Sequence, residues 1–364
     1  MVFTKPVRKK RNFKSLTLAV PETPGAAPGM SALAGPAGAV TAPAPFVSNG
    51  SVPVPMSSSS GGGGGGFQES VLPLELGVEL RLDLREEDLV IGRPMGEGAG
   101  GSVVKAVHRP TQTPMALKFI RVDHSIRQRI LKELQILHEC NSPNIVSFYG
   151  AYPKDNGVQM CMEFMDLGSF DRIYRQNGPI PVPVIGRVTF SVLQGLKYLY
   201  EELRVMHRDI KPSNILLNSV GFIKICDFGI SKAMDSSIAN TFVGTTSYMS
   251  PERMNGGSYT VKTDIWSLGL TLMELALGRY PLRCEGESMS LFEMLSYIKT
   301  ENLPQLSDTE FPPGLCDFVA KCLIKDPAKR PDLNGLLSHS YTRESAVAKV
   351  NIEQWAASLE LPDF

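Results

Sequence analysis

Gly96-Glu97-Gly98-Ala99-Gly100-Gly101-Ser102-Val103, followed downstream by Met115-Ala116-Leu117-Lys118, is the stretch whose reading decides the fold of this chain. Leu89-Val90-Ile91 leads into the glycines and Val103-Val104-Lys105-Ala106-Val107 leaves them, so the pattern predicts a hairpin with a glycine-rich turn. A G-x-G-x-x-G spacing is weak by itself. A dinucleotide site would set the glycines between a strand and a helix of a parallel βαβ unit, whereas here a second strand follows. Glycines in such a turn let backbone amides approach anionic oxygens with no Cβ in the way. Lys118, on the next predicted strand (Met115 to Arg121), is then the candidate anchor for a phosphate group.

Working outward, Arg127 to Cys140 places Ile130, Leu134 and Leu137 on one helical face, and Ile145 to Tyr152 and Val158 to Phe164 read as two further strands. Ahead of the hairpin, Glu79 to Leu84 alternates apolar and polar residues at the two-residue strand period. After Ser169 helical periodicity dominates, in Val182 to Glu201, Thr263 to Leu277, Leu291 to Thr300 and Pro313 to Ile324. The expected fold class is α+β with two lobes: a β-rich N-lobe over residues 85–165 and an α-helical C-lobe over 166–345. A tail, 346–364, follows.

Residues 1–20 are different in kind. Lys5, Arg8, Lys9, Lys10, Arg11 and Lys14 precede Leu16-Thr17-Leu18, and residues 21–70 are rich in Pro, Gly, Ala and Ser, with an uninterrupted run of glycine from Gly61 to Gly66. Too few bulky apolar side chains are present there to offset the entropy of ordering, so a disordered arm on a flexible linker is expected.

The 364-residue chain is 43% hydrophobic, ample for one large core, and its 37 basic and 37 acidic residues balance, which gives no support for nucleic acid or an anionic membrane as the main partner. Its six cysteines contain no C-x-x-C pair and read as reduced thiols, and no apolar run approaches the ~18 residues of a membrane span. A soluble, cytoplasmic protein with no membrane insertion is expected.

Chemistry-bearing residues fall in the second half: His207-Arg208-Asp209-Ile210-Lys211-Pro212-Ser213-Asn214, Asp227-Phe228-Gly229 and Ser250-Pro251-Glu252. Asp209 can accept a proton from an attacking hydroxyl, Lys211 can stabilise charge on a transferred phosphoryl group, and Asn214 and Asp227 offer the hard oxygen ligands that Mg²⁺ prefers. Glu133, on the helix after Lys118, is the carboxylate expected to hold that lysine in position. His207 reads as a structural residue stacked on Phe228, in an apolar column with Leu137 and Phe148. Glu252 and Arg330 are expected to form a buried ion pair.

These five motifs in register resemble the protein kinases over residues 85–345, and the chain closely resembles the MAP kinase kinases. The closer likeness rests on Lys132-Glu133-Leu134-Gln135-Ile136-Leu137-His138-Glu139-Cys140, on Cys161-Met162-Glu163-Phe164-Met165-Asp166, and above all on Asp235-Ser236-Ser237-Ile238-Ala239-Asn240-Thr241-Phe242-Val243-Gly244-Thr245. The resemblance implies ATP and Mg²⁺ as cofactors. It places Gly96, Glu97, Gly98, Ala99, Gly100, Gly101, Ser102, Val103, Val104, Ala116, Lys118, Met162, Glu163, Met165, Leu216 and Asp227 around the nucleotide, with Met162 as gatekeeper and Glu163 and Met165 supplying backbone hydrogen bonds.

It also implies phosphorylation of Ser237 and Thr241, with Ser236 as an alternative, and dual specificity toward the Thr and Tyr of a MAP kinase. The basic arm resembles a MAP kinase docking peptide, the other reading being a nuclear-localisation or nonspecific polybasic stretch. Residues 350–359 resemble a helix that docks an upstream kinase, and a simple packing helix is the equal alternative. The chain departs from the family in two places. Its Gly/Ser/Pro linker stands where an inhibitory helix is expected, and no proline-rich insert follows Gly278-Arg279-Tyr280-Pro281-Leu282. The competing class is a catalytically silent scaffold built on the same fold.

Overall fold

The computed structural model describes residues 84–98, 101–122, 127–228, 246–282, 291–301 and 303–362. Strands β1 (Leu89–Gly98), β2 (Gly101–His108) and β3 (Thr113–Arg121) are followed by helix α1 (Arg127–Glu139) and strands β4 (Phe148–Lys154) and β5 (Gly157–Glu163). The strands form an antiparallel sheet in the order β1-β2-β3-β5-β4, so the glycine hairpin and the Lys118 strand are neighbours as the sequence implies. Val103 stands opposite Lys118, and Ala116 opposite Met162. The β1–β2 register shifts on both sides of Pro94, which has no N–H to give the ladder. Gly101 has φ +110, and a Cβ there would collide with the Phe119 carbonyl oxygen, so this turn position requires glycine.

α1 buries Ile130, Leu134 and Leu137 against this sheet, the face its spacing predicts. The sheet carries a second, smaller apolar cluster that includes Leu84, Leu89, Met115, Leu117 and Cys161. β4 begins later than expected: Ile145 instead makes an isolated parallel bridge to Ile225. The strand expected over Glu79 to Leu84 falls almost wholly outside the described residues.

The second lobe opens with β6 (Gly168–Ser169), α2 (Phe170–Asn177) and α3 (Val182–Glu201), and then β7 (Ile215–Leu217) and β8 (Ile223–Ile225), which with β6 make a small sheet. It continues through α4 (Pro251–Met254), α5 (Val261–Leu277), α6 (Leu291–Thr300), α7 (Pro313–Cys322), α8 (Leu333–Leu337), α9 (Ser340–Val347) and α10 (Ile352–Ala357). The axis of this lobe is α5, buried without interruption from Thr263 to Ala276, as befits a helix apolar on all sides. A Thr260/Thr263 capping box starts it and Gly278, at φ 66, ends it.

α10 buries Ile352 and Ala356, and its Trp355 stacks on Phe170 with ring centroids 6.2 Å apart. Among the described residues no helix is long and apolar enough to cross a membrane.

Candidate active site

The loop between α3 and β7 is held from below by one carboxylate. Asp264, in the first turn of α5, accepts the backbone N–H groups of His207 at 3.0 Å and Arg208 at 2.7 Å. That anchorage stabilises Arg208 at φ 69, a conformation costly for a non-glycine residue. His207 is fully buried, its Nδ1 accepts the Asp209 N–H at 3.2 Å, and its ring lies tilted 6.3 Å from that of Phe228. It is therefore a packing residue that shapes the loop. The other members of the expected column, Leu137, Phe148 and Phe228, are buried as well.

With the loop so fixed, Asp209 meets Lys211 across 3.0 Å, and Asn214 Nδ2 donates to the Asp209 carbonyl at 2.8 Å. The Asn214 amide oxygen remains as the atom for a cation. The Asn214 carbonyl accepts the Cys226 N–H at 3.0 Å, which brings Asp227 alongside. Asp227 also takes a positive φ of 60.

One expected contact is not made in this structure. Lys118, 4% exposed, is paired with Asp227 Oδ1 at 2.7 Å; among the described residues no ion pair joins it to Glu133. A nearly buried ammonium demands a close carboxylate, and Asp227 already meets that demand here.

Across the cleft, Ala116 is buried, and Val104, Met162 and Leu216 are half-buried. The Glu163 N–H is spent on the Ser147 carbonyl, while the Met165 N–H has no acceptor among the described residues. Met165 is 2% exposed, so an unpaired donor there is costly and suits an adenine ring nitrogen as its partner. Gly96 is exposed on β1, and a Cβ on it would meet nothing within 4 Å. Ser102 is exposed and Val103 half-buried on β2. The residues present thus fit a nucleotide with a metal on Asn214 and Asp227. Ala99, Gly100, Ser237 and Thr241 lie outside the described residues.

Sequence reasoning missed Lys224. Its ammonium binds both Glu163 oxygens, at 2.7 and 2.6 Å, and the Ser147 N–H adds a third bond at 3.0 Å, tying β8 to the segment that carries Met165. The signal was a lone lysine in the apolar run Ile223-Lys224-Ile225. Cys226, beside Asp227, is half-buried, and burial, with the Asp227 charge adding, pushes its thiol well above the usual range.

A glycine hairpin over a lysine–aspartate pair, with a second aspartate and a lysine presented by an anchored loop, defines a nucleotide-dependent phosphoryl transferase. The sequence profile of the protein kinase domain matches residues 89–342. The chain is 39% identical over 426 aligned residues to dual specificity protein kinase FUZ7 of Mycosarcoma maydis, covering 97% of this chain and 98% of that one. It is 47% identical over 298 residues to the mitogen-activated protein kinase kinase MST7 of Pyricularia oryzae (79% and 72% covered). With the dual specificity mitogen-activated protein kinase kinase dSOR1 of Drosophila melanogaster it shares 45% over 305 residues (77% of each). The chain belongs to the protein kinase family, among the MAP kinase kinases. ATP and a divalent metal are the cofactors of that family.

Proposed function

We propose that this kinase transfers the γ-phosphoryl group of ATP, with Mg²⁺ held by Asn214 and Asp227, to the Thr and Tyr of a MAP kinase activation loop. The observation that carries the reading is the Asp209–Lys211 pair, 3.0 Å apart, on a loop fixed to α5 by Asp264. Asp209 accepts the hydroxyl proton, and Lys211 offsets charge on the group in transit. A cation on Asp227 would compete with Lys118 for its charge, and Glu133 is the carboxylate that takes over Lys118 in the loaded state. The intact set Lys118, Glu133, Asp209, Asn214 and Asp227 leaves the scaffold reading without support.

Phosphorylation of Ser237 and Thr241 by an upstream kinase switches the enzyme on, added charge ordering the segment by pairing with cations such as Arg208. The deciding experiment is phosphate incorporation into a kinase-dead MAP kinase, mapped by mass spectrometry. Dual Thr and Tyr modification, raised by Ser237→Asp with Thr241→Asp and lost in Lys118→Met, is expected. No transfer by any form after treatment with an upstream kinase would overturn the reading.

The layout follows: a docking arm at 1–20 on a linker at 21–70, catalytic lobes at 85–165 and 166–345, and a tail at 346–364 whose helix either docks the upstream kinase or only packs on the lobe, the second favoured by buried Ile352 and Ala356 and by Trp355 stacked on Phe170. Basic side chains of the arm meet an acidic patch on the MAP kinase and the two leucines an apolar groove. Reversing the charges of Lys9, Lys10 and Arg11 is expected to raise KM for the MAP kinase about tenfold, or ~1.4 kcal/mol. Unchanged capture would return the arm to its polybasic reading.

A further inference from the structure

The chain beyond α9 is held along α2 by contacts at both ends of that helix. At its start, Phe170 is fully buried and Trp355 of α10 stacks on it, the ring planes 16° from parallel. At its end, Asn177 pairs with Glu360 much as one strand pairs with another. The Glu360 N–H donates to Asn177 Oδ1 at 3.0 Å, and Asn177 Nδ2 donates back to the Glu360 carbonyl at 3.3 Å. Between these points Arg172 donates to the Pro362 carbonyl, and Leu359 and Leu361 pack against the main core.

The same segment lies against a second element. Gly221, in the turn between β7 and β8, has φ +87, and a Cβ there would come 3.0 Å from the Glu353 nitrogen and 3.3 Å from the Ile352 Cβ. Glycine is thus required twice over, by the backbone and by the start of α10.

α2 and β7 both lead to the nucleotide site. Ser169, the N-cap of α2, stands opposite Leu216 on β7, and Gly168 opposite Leu217. The Gly168 N–H donates to the Met165 carbonyl at 3.0 Å, and the Leu167 N–H to the Leu217 carbonyl at 3.3 Å. One short hydrogen-bonded run therefore joins Met165, whose N–H is offered to adenine, to Phe170, on which Trp355 rests. Burial of Ile352 and Ala356 alone would satisfy a helix that only closed the core; the bonds from Arg172 and Asn177 and the close fit at Gly221 go further and tie α2 to the β7–β8 turn.

We infer that residues 352–362 clamp the floor of the nucleotide site: Trp355 and Asn177 are positioning residues that hold α2 against β7, and with them Met165 and Leu216, in the arrangement that receives adenine. This rests on the kinase reading. A floor fixed before the nucleotide arrives reduces what binding loses to ordering.

The test uses the full chain as wild type, Trp355→Ala, Trp355→Phe, Asn177→Ala and Thr342→Val. Three quantities are read: the Kd for ADP with Mg²⁺ by titration, amide hydrogen exchange over residues 165–172, and the rate at which an upstream kinase phosphorylates the chain. Trp355→Ala and Asn177→Ala are expected to weaken ADP binding about fivefold and to quicken exchange over 165–172, with phosphorylation by the upstream kinase unchanged. Trp355→Phe keeps a ring on Phe170 and should stay within about twofold of wild type. Thr342→Val removes a buried bond in α9, from the Thr342 hydroxyl to the Leu336 carbonyl at 2.7 Å; it lowers Tm and leaves ADP binding where it was.

Wild-type ADP affinity in Trp355→Ala overturns the inference, and slower phosphorylation by the upstream kinase in that variant would give α10 to the docking reading instead. An equal loss of affinity in Thr342→Val overturns it too, because any loosening of the lobe would then act alike. If the wild type itself binds no nucleotide, the kinase reading fails; exchange over 165–172 still reports on the clamp, and unaltered exchange in Trp355→Ala overturns it.

Discussion

Asp209→Asn lowers kcat for phosphoryl transfer by about a thousandfold, inside the 10²–10⁴ range of general base catalysis, and leaves the fold standing. The second half of that expectation follows from which atoms hold the loop. Asp209 is fixed through its backbone: its N–H is bound to His207 Nδ1 and its carbonyl accepts from Asn214. The neighbouring N–H groups of His207 and Arg208 are bound to Asp264. An amide at position 209 disturbs none of these contacts. It does remove the only atoms at that position able to take up a proton, and it turns the 3.0 Å Asp209–Lys211 ion pair into a dipole contact. Steady-state turnover and thermal unfolding should therefore separate cleanly, with kcat collapsing and Tm moving by no more than a degree or two. A residual rate within tenfold of wild type would remove Asp209 from the role of base.

The hairpin and the helices were legible because each rests on local pattern. A strand after Gly101 distinguishes this glycine turn from a dinucleotide loop, and the spacing of Ile130, Leu134 and Leu137 fixes the buried face of α1. Residue types at the site were legible too, since Asp209, Lys211, Asn214 and Asp227 lie close along the chain. What sequence could not decide was choice among equivalent partners. Two carboxylates, Glu133 and Asp227, were available to Lys118, and only the three-dimensional arrangement selects Asp227 here.

The supports were hidden for a related reason. Asp264 sits where an acidic residue commonly favours a helix start, and Glu274 looks like an exposed charge in an apolar helix; burial turns one into an anchor for the catalytic loop and the other into the shared acceptor of the Tyr174 and Tyr248 hydroxyls. Ile145 reads as strand and is extended, but it pairs with Ile225 of β8, a partner about 80 residues away that no local pattern announces.

Arg330→Met is expected to cost about 3–5 kcal/mol of stability, the range for stranding one member of a buried ion pair. The Arg330 side chain is wholly buried and Glu252 is 16% exposed, joined at 2.8 and 3.1 Å by two guanidinium nitrogens. Arg330 further donates to the Lys262 carbonyl at 2.6 Å and the Ile324 carbonyl at 2.9 Å, and lies over the Trp266 ring. Methionine could fill part of the volume, but it would take the guanidinium away from Glu252 and from the Lys262, Ile324 and Lys325 carbonyls.

Because the damage is mostly the stranded charge, Arg330→Met with Glu252→Gln should recover part of the loss, which a urea-unfolding double-mutant cycle measures directly. The pair also sets an acid limit. Burial pushes the Glu252 carboxyl up, but the Arg330 bonds and other hydrogen bonds outweigh it and hold the group below its ordinary value of 4.5. A carboxyl depressed on folding contributes stability above its unfolded value, and loses it as pH falls through the folded one. Wild type should therefore lose stability steeply below about pH 4.5, while Arg330→Met, in which Glu252 is no longer held down, should show a flatter acid limb. Parallel acid limbs in the two proteins would show that the Glu252–Arg330 pair is not what fails first in acid.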